Sequence, residues 1–181
     1  MIRLFTALEL PFTVRDRLGA LQRGIPGARW TDEEQMHLTL RFIGEVQENV
    51  ADDIDLALEN LGGQSFELSL RGVGYFGGAE PRLLYAGVDS NPALDRLVKK
   101  IEVALQRLGL KPETRKFTPH VTLARLKMPP PDKLGAYVLT NNLFATEAFW
   151  IESFTLFSSH LSDGGSHYTA ERTYPLRPAA P

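Results

Sequence analysis

The sequence predicts a mixed fold of strands and helices, arranged as one domain of two similar halves, about residues 1–81 and 82–181. Three observations predict it. Strand-like and helix-like stretches alternate as strand, helix, strand, helix, strand and then strand, helix, strand, helix, strand, strand. A tetrapeptide of one form, His37-Leu38-Thr39-Leu40 and His120-Val121-Thr122-Leu123, recurs at an offset of 83 residues, and Phe5 and Tyr85 lie 80 apart in the opening strand of each half. At 181 residues and 20.2 kDa the chain has the size of a single domain. By size scaling it buries about 70 % of its unfolded surface, enough for a core without staples.

Each element has its own signal. Ile2 to Leu8 is a short apolar strand. Pro11 then opens an amphipathic stretch through Val14, Leu18 and Leu21 that stops at Gly24-Ile25-Pro26. His37 to Ile43 is a strand ended by Gly44, and Val50, Ile54, Ala57, Leu58 and Leu61 line one face of a helix ended by Gly62-Gly63. Ser65 to Phe76 reads as one long strand. Arg82 to Val88 is another, followed by the strongest helix: Asn91 as cap, Pro92 at its first position, then Leu94, Leu97, Val98, Ile101, Leu105 and Leu108 before Gly109. Pro119 to Arg125 is a strand, Met128 to Pro131 a stiff connector, and Asp132 to Leu143 a weak helix. Phe149 to His160 and Tyr168 to Leu176 form a hairpin across Asp163-Gly164-Gly165.

Composition narrows the chemistry. The chain has no cysteine, so disulfides, thiolate zinc sites, iron-sulfur clusters and a cysteine nucleophile are excluded. No apolar run approaches the 18 or so residues of a membrane span, so no membrane contact is expected. The opening residues pass straight into a strand, so no secretory leader is expected and a cytoplasmic location is. Twenty basic and 22 acidic side chains give a net charge of −2, whereas proteins that grip long nucleic acid carry a basic excess. Any nucleic-acid substrate is therefore expected to be held locally, at an end.

In a strand, alternate side chains share a face, so His37 and Thr39 project one way while Leu38 and Leu40 project toward the helices. His120 and Thr122 do the same over Val121 and Leu123. An approximate two-fold between the halves brings two imidazoles and two hydroxyls to one cleft. Paired histidines suit in-line displacement at phosphorus, which needs a base on one side and an acid on the other. With an unperturbed pKa of about 6.5, one ring can be neutral and the other protonated near neutral pH. The threonine hydroxyls can donate to non-bridging oxygens as charge grows there.

Two His-x-Thr-x segments at this spacing resemble the 2H phosphoesterase superfamily, and within it the RNA 2′,3′-cyclic phosphodiesterases, also called 2′-5′ RNA ligases. The similarity runs through RLFTALELP, HLTLRFIGEV, PRLLYAGV, FTPHVTLAR and YTAERTYPL. It implies an α+β bilobal fold with two antiparallel β-sheets around a central cleft and helices outside. It implies opening of a 2′,3′-cyclic phosphate on an RNA 3′ terminus or nucleotide to a 2′-phosphate, with the reverse joining in some members. It also implies no metal, no other cofactor and no obligate protein partner, with His37 as proton donor and His120 as proton acceptor.

Other residues are weighed beside these. Arg41 shares strand parity with His37 and Thr39 and is a candidate phosphate contact, against the reading of a solvated strand end. Arg125 has the opposite parity to His120 unless the strand ends or twists, but the resemblance favours it as a phosphate or ribose contact. Phe117 is a candidate to stack a terminal base, as are Trp30 and Phe76, and core packing is the preferred reading of all three. His167-Tyr168-Thr169-Ala170 also fits His-x-Thr-x, but it lacks the following Leu and breaks the spacing, so it reads as an ordinary hairpin strand. His160 carries no assignment. Gly72 to Gly78 lacks a Gly-Lys-Ser/Thr ending and is not a P-loop; strand flexibility explains it. Two further function classes compete. A nucleotide-binding or RNA-end-binding module without turnover is disfavoured by intact motifs in both halves. A metallohydrolase is disfavoured because no close His/Asp/Glu cluster accompanies either motif.

Overall fold

The computed structural model describes residues 1–162 and 165–179. In chain order the elements are β1 (Ile2–Glu9), α1 (Phe12–Gly19), β2 (Arg29–Trp30), β3 (His37–Val46), α2 (Glu48–Glu59), β4 (Phe66–Leu68), β5 (Leu70–Phe76), β6 (Leu83–Val88), α3 (Pro92–Arg107), β7 (His120–Arg125), α4 (Pro131–Asn141), β8 (Phe149–Ile151), β9 (Ser153–Ser162) and β10 (Gly165–Pro175). A 3-10 turn, Glu33–Gln35, precedes β3.

The expected α+β architecture is present. One lobe carries the strands β10-β9-β1-β3 and the other β7-β6-β5, with β2 added on β7. Every strand pairing between named strands is antiparallel. The two sheets are not fully separate: β3 and β7 meet at one pair, Leu38 with Val121. These are equivalent positions of the two tetrapeptides, as an approximate two-fold passing between them requires. The lobes interleave the chain. β9 and β10 of the later half complete the sheet of β1 and β3, while β2 and β5 of the earlier half complete that of β6 and β7.

The helices cover the other face. In α3 the spacing of Leu94, Leu97, Ile101 and Leu105 puts all four on one buried stripe. Each contributes about 1.5–3 kcal/mol by leaving water. Asn91 Oδ1 accepts from the N–H groups of Ala93 and Leu94 at 3.1 Å, capping the helix as expected. Leu38, Leu40, Val121 and Leu123 join that stripe, with Ile54 and Leu58 of α2, in one core. The backbone beside each histidine is thus tied to the least exposed part of the molecule.

Two long strands expected from sequence are each broken. Ser65 to Phe76 divides at Ser69 into β4, which pairs with β8 in a separate two-stranded sheet, and β5, which pairs with β6. Ser69 is held at the break: its hydroxyl donates to Asp89 at 2.7 Å and its carbonyl accepts from the Asp89 N–H at 3.0 Å. Phe149 to His160 divides at Glu152, whose carbonyl accepts from Leu176 N–H. β2 and the 3-10 turn are too short for any periodicity to announce them. The predicted hairpin turn at Asp163-Gly164 lies outside the described residues.

Candidate active site

A bulge recurs at the same place in both motifs. Against β1, β3 steps from Thr39 to Arg41 while β1 steps only from Ala7 to Thr6. Against β6, β7 steps from Thr122 to Ala124 while β6 steps only from Tyr85 to Leu84. Each strand therefore carries one extra residue immediately after its threonine, which reverses the facing of the residues that follow it, up to a second shift between Phe42 and Gly44 in β3. His37, Thr39 and Phe42 share one face of β3, and His120, Thr122 and Arg125 share the corresponding face of β7. Arg41 and Ala124 turn to the helix side.

Both rings are held by the same backbone device. His37 Nδ1–H donates to the Gln35 carbonyl at 2.7 Å, and His120 Nδ1–H donates to the Thr118 carbonyl at 2.7 Å. The carbonyl two residues upstream thus fixes the tautomer and orientation, leaving Nε2 of each ring as the nitrogen available to a ligand. The Thr39 and Thr122 hydroxyls have no hydrogen-bond partner among the described residues and lie half-exposed beside the rings.

The walls differ. The His37 ring sits among Phe5 at 5.1 Å, Tyr168 edge-on at 5.2 Å and Phe157 at 6.0 Å between centroids. Burial in this apolar lining pushes its pKa below the usual histidine value; the Gln35 carbonyl opposes the shift, and the His120 imidazole adds to it. The Leu38–Val121 pairing of β3 with β7 sets the two histidines on neighbouring strands. His120 meets Phe76 edge-on at 4.9 Å and Tyr85 at 5.6 Å. Gly74, opposite Tyr85 in the ladder, makes this wall: a Cβ there would stand 2.7 Å from the Tyr85 hydroxyl oxygen and 2.8 Å from its ring. The glycine run is therefore partly a clearance for Tyr85 rather than only a flexible strand.

Arg125 reaches the cleft face that simple alternation denied it, because the bulge restores its parity. It is exposed and has no hydrogen-bond or ion-pair partner among the described residues. Arg41 does the reverse, and its candidacy as a phosphate contact is corrected. Its Nε donates to Glu102 Oε2 at 2.5 Å, Nη2 to the Lys111 carbonyl at 2.7 Å and Nη1 to the Phe42 carbonyl, with the side chain only 11 % exposed. Glu102 also accepts from the Glu113 N–H at 2.9 Å, so the pair ties down the segment that runs into β7. Burial would raise the Glu102 pKa, but the Gln106, Arg41 and Glu113 hydrogen bonds outweigh it and hold it below the ordinary value.

Phe117 is half-buried and packed against the core, with no ring contact to either histidine among the described residues. Trp30 packs on the core and on Tyr137, as expected. Phe76 departs from its core reading, since it stacks on Tyr85 at 4.4 Å and touches His120. His167 is exposed, opposite His160 across the hairpin, while its neighbour Tyr168 is the residue that reaches His37. Tyr168 and Phe157 escaped the sequence analysis; strand alternation through the decoy motif was the available signal for Tyr168. Among the described residues no group of three or more His, Asp or Glu side chains converges to hold a metal ion, and no helix is long and apolar enough to cross a membrane.

Comparisons with known proteins agree with this geometry. The profile of the 2′-5′ RNA ligase superfamily matches residues 11–163. A Thermotoga maritima protein named RNA 2′,3′-cyclic phosphodiesterase is 32 % identical over 175 residues, covering 92 % of this chain and 91 % of that one. An Aeropyrum pernix protein of the same name is 41 % identical over 106 residues, a match spanning 58 % of this chain and 60 % of that protein. The crystal structure of TT0787 of Thermus thermophilus superposes with a TM-score of 0.84 at 29 % identity, covering 98 % of this chain and all of that one. The paired motifs, the interleaved sheets and these matches together show that the chain belongs to the 2′-5′ RNA ligase superfamily of 2H phosphoesterases and is an enzyme of the RNA 2′,3′-cyclic phosphodiesterase type.

Proposed function

We propose that the chain hydrolyses 2′,3′-cyclic phosphates on RNA 3′ termini or nucleotides to 2′-phosphates, using its two histidines as acid and base and no metal ion. The observation that carries this reading is the repeated anchor: two imidazoles, each fixed through Nδ1 to the carbonyl two residues before it, present Nε2 beside a threonine hydroxyl that has no other partner among the described residues. His120 Nε2 takes a proton from water, which attacks phosphorus in line with the 3′-oxygen. The P–O3′ bond breaks, and His37 protonates the leaving oxygen. Thr39 and Thr122 donate to the non-bridging oxygens, and Arg125 adds positive charge at the open end. The burial that favours neutral His37 in the free protein is offset when the phosphate anion arrives, because a nearby negative charge favours the imidazolium. The division of roles rests on the resemblance to the family. A 5′-hydroxyl that attacks in place of water passes through the same steps and joins two ends by a 2′-5′ linkage.

Incubation with a nucleoside 2′,3′-cyclic phosphate in excess EDTA tests the proposal. The expected result is a nucleoside 2′-monophosphate formed at an undiminished rate. Loss of turnover restored by one divalent metal would overturn the metal-independent mechanism, and tight binding with no turnover would leave a binding module.

A further inference from the structure

Charge is divided between two helices on the outside of the molecule. The acidic side chains of α2 are Glu48, Asp52, Asp53, Asp55 and Glu59, and the helix has no basic residue. Asp55 and Glu59 are taken up by Arg172 of β10, whereas Glu48, Asp52 and Asp53 are exposed and have no side-chain partner among the described residues. On α3 the signs reverse. Arg96, Lys99, Lys100 and Arg107 are all exposed, and they too have no side-chain partner among the described residues. At about 3.6 residues per turn, Arg96, Lys100, Val103 and Arg107 form one row opposite the buried stripe of α3, with Lys99 beside it. Each charged row also exposes one aliphatic side chain, Leu56 on α2 at 59 % and Val103 on α3 at 39 %. Beside Val103 a groove of about 450 Å³ runs between α3 and the end of α2, with Leu61 and Ala104 in its lining and Arg96, Lys100 and Arg107 around it.

We infer that these helices form the interface of a homodimer in which α2 of each copy lies along α3 of the other. The two rows match in order and spacing. Glu48, then Asp52 with Asp53, then Leu56 follow one another at intervals of one turn, and so do Arg96, then Lys99 with Lys100, then Val103 with Ala104. Laid side by side in the same direction, acid meets base at two successive turns, and Leu56 enters the groove beside Val103 at the third. A two-fold axis makes this contact twice, because an isologous interface is self-complementary. The charges set partner and register, and the buried aliphatic pair adds the apolar contact. An RNA strand fits this surface less well, since neither helix nor the groove offers an aromatic side chain to stack a base. The helices cover the face of the sheets away from the histidines, so the dimer leaves both clefts open. Contact through two helices per copy is small for an interface, so association is expected to depend on protein concentration and on salt.

Sedimentation velocity of the full chain over a concentration series at low salt tests this, with two charge-reversed variants, Lys99→Glu/Lys100→Glu and Asp52→Lys/Asp53→Lys. Wild type is expected to pass from monomer to dimer as concentration rises, and to shift back toward monomer in added salt. Each variant alone places like charges against each other in both contacts, so its Kd for self-association should rise about tenfold or more. An equimolar mixture of the two variants pairs acid with base in both contacts and should form a heterodimer with a Kd close to that of wild type. That recovery also shows that both variants are folded. A wild type that stays monomeric throughout would overturn the interface, as would variants that dimerise like wild type or a mixture that stays monomeric. A monomeric wild type that binds an RNA oligonucleotide, with the affinity lost in Lys99→Glu/Lys100→Glu, would overturn it in favour of a nucleic-acid surface.

Discussion

The His37 and His120 copies of the motif share a backbone and differ in what surrounds it. Both rings donate Nδ1–H to a carbonyl two residues upstream at 2.7 Å, both threonines are followed by the same bulge, and both intervening residues are fully buried. After the bulge the copies diverge. The position facing the cleft is Phe42 on one side, 56 % exposed, and Arg125 on the other; the position facing the helices is Arg41 on one side and Ala124 on the other. His37 is closed in by three aromatic rings and pushed toward neutrality, while His120 meets Phe76 and Tyr85. The duplicated backbone aims the two rings and their threonines, and the unduplicated side chains decide what surrounds each.

The sharpest test removes the rings themselves. Replacing either His37 or His120 by Ala should lower kcat by about 10² to 10⁴, the range of general acid-base catalysis, while His167→Ala should do little. A cyclic substrate with sulfur in place of the 3′-oxygen then separates the copies. A thiolate leaves without a proton, so His37→Ala should recover much of its rate and His120→Ala should stay slow. The opposite pattern would exchange the two roles without disturbing the pairing.

A smaller effect is expected where the copies diverge toward the cleft. Arg125→Ala should lower kcat/KM by about tenfold to a hundredfold, as expected for hydrogen bonds to an anion. Phe42→Ala, at the equivalent position, removes no charge and should cost less. Equal losses would mean that the two positions do the same work.

Toward the helices the expectation is one of stability. Arg41→Leu should lower unfolding free energy by about 1–3 kcal/mol, because it strands the Glu102 carboxylate and two carbonyls, while KM stays near wild type. A KM rise like that of Arg125→Ala, with an unshifted urea midpoint, would contradict the facing set by the bulge.

The mildest effect concerns pH. The folded-state pKa of His37 lies below its ordinary value of 6.5 because of burial, so between those two values the unfolded chain binds more protons than the folded one. Its contribution to stability is complete above pH 6.5 and declines as pH falls through that window. Urea midpoints at about pH 7.5 and 5.5 should show wild type losing more stability than His37→Gln. A variant as steep as wild type would place the dependence on other groups.

The pairing of the two histidine motifs was legible because a period-2 pattern and a repeated tetrapeptide are local signals, and the cap and apolar stripe of α3 are equally local. What sequence hid was long-range. Parity carried Arg41 to the cleft and Arg125 away from it, and one inserted residue in each ladder exchanged them, since a bulge leaves no mark in composition. Tyr168 lay beside a decoy histidine whose own side chain points to solvent. β2 is only two residues long, too few for any periodicity.

The interleaving of the lobes has a consequence for how the chain reaches its native state. Leu4 of the first strand pairs in a ladder with Ser158 near the end, while β5 of the first half closes on β6 of the second. Each sheet is incomplete until both halves have been made, so the topology is rich in contacts between residues far apart in sequence, and the entropy of closing those loops is met before the pairing that rewards it. A fragment ending near residue 81 has β1 with an unpaired edge where β9 belongs, and β5 with no partner at all. Folding is therefore expected as one cooperative transition of the whole chain, and two separately expressed halves are expected to gain structure only on mixing.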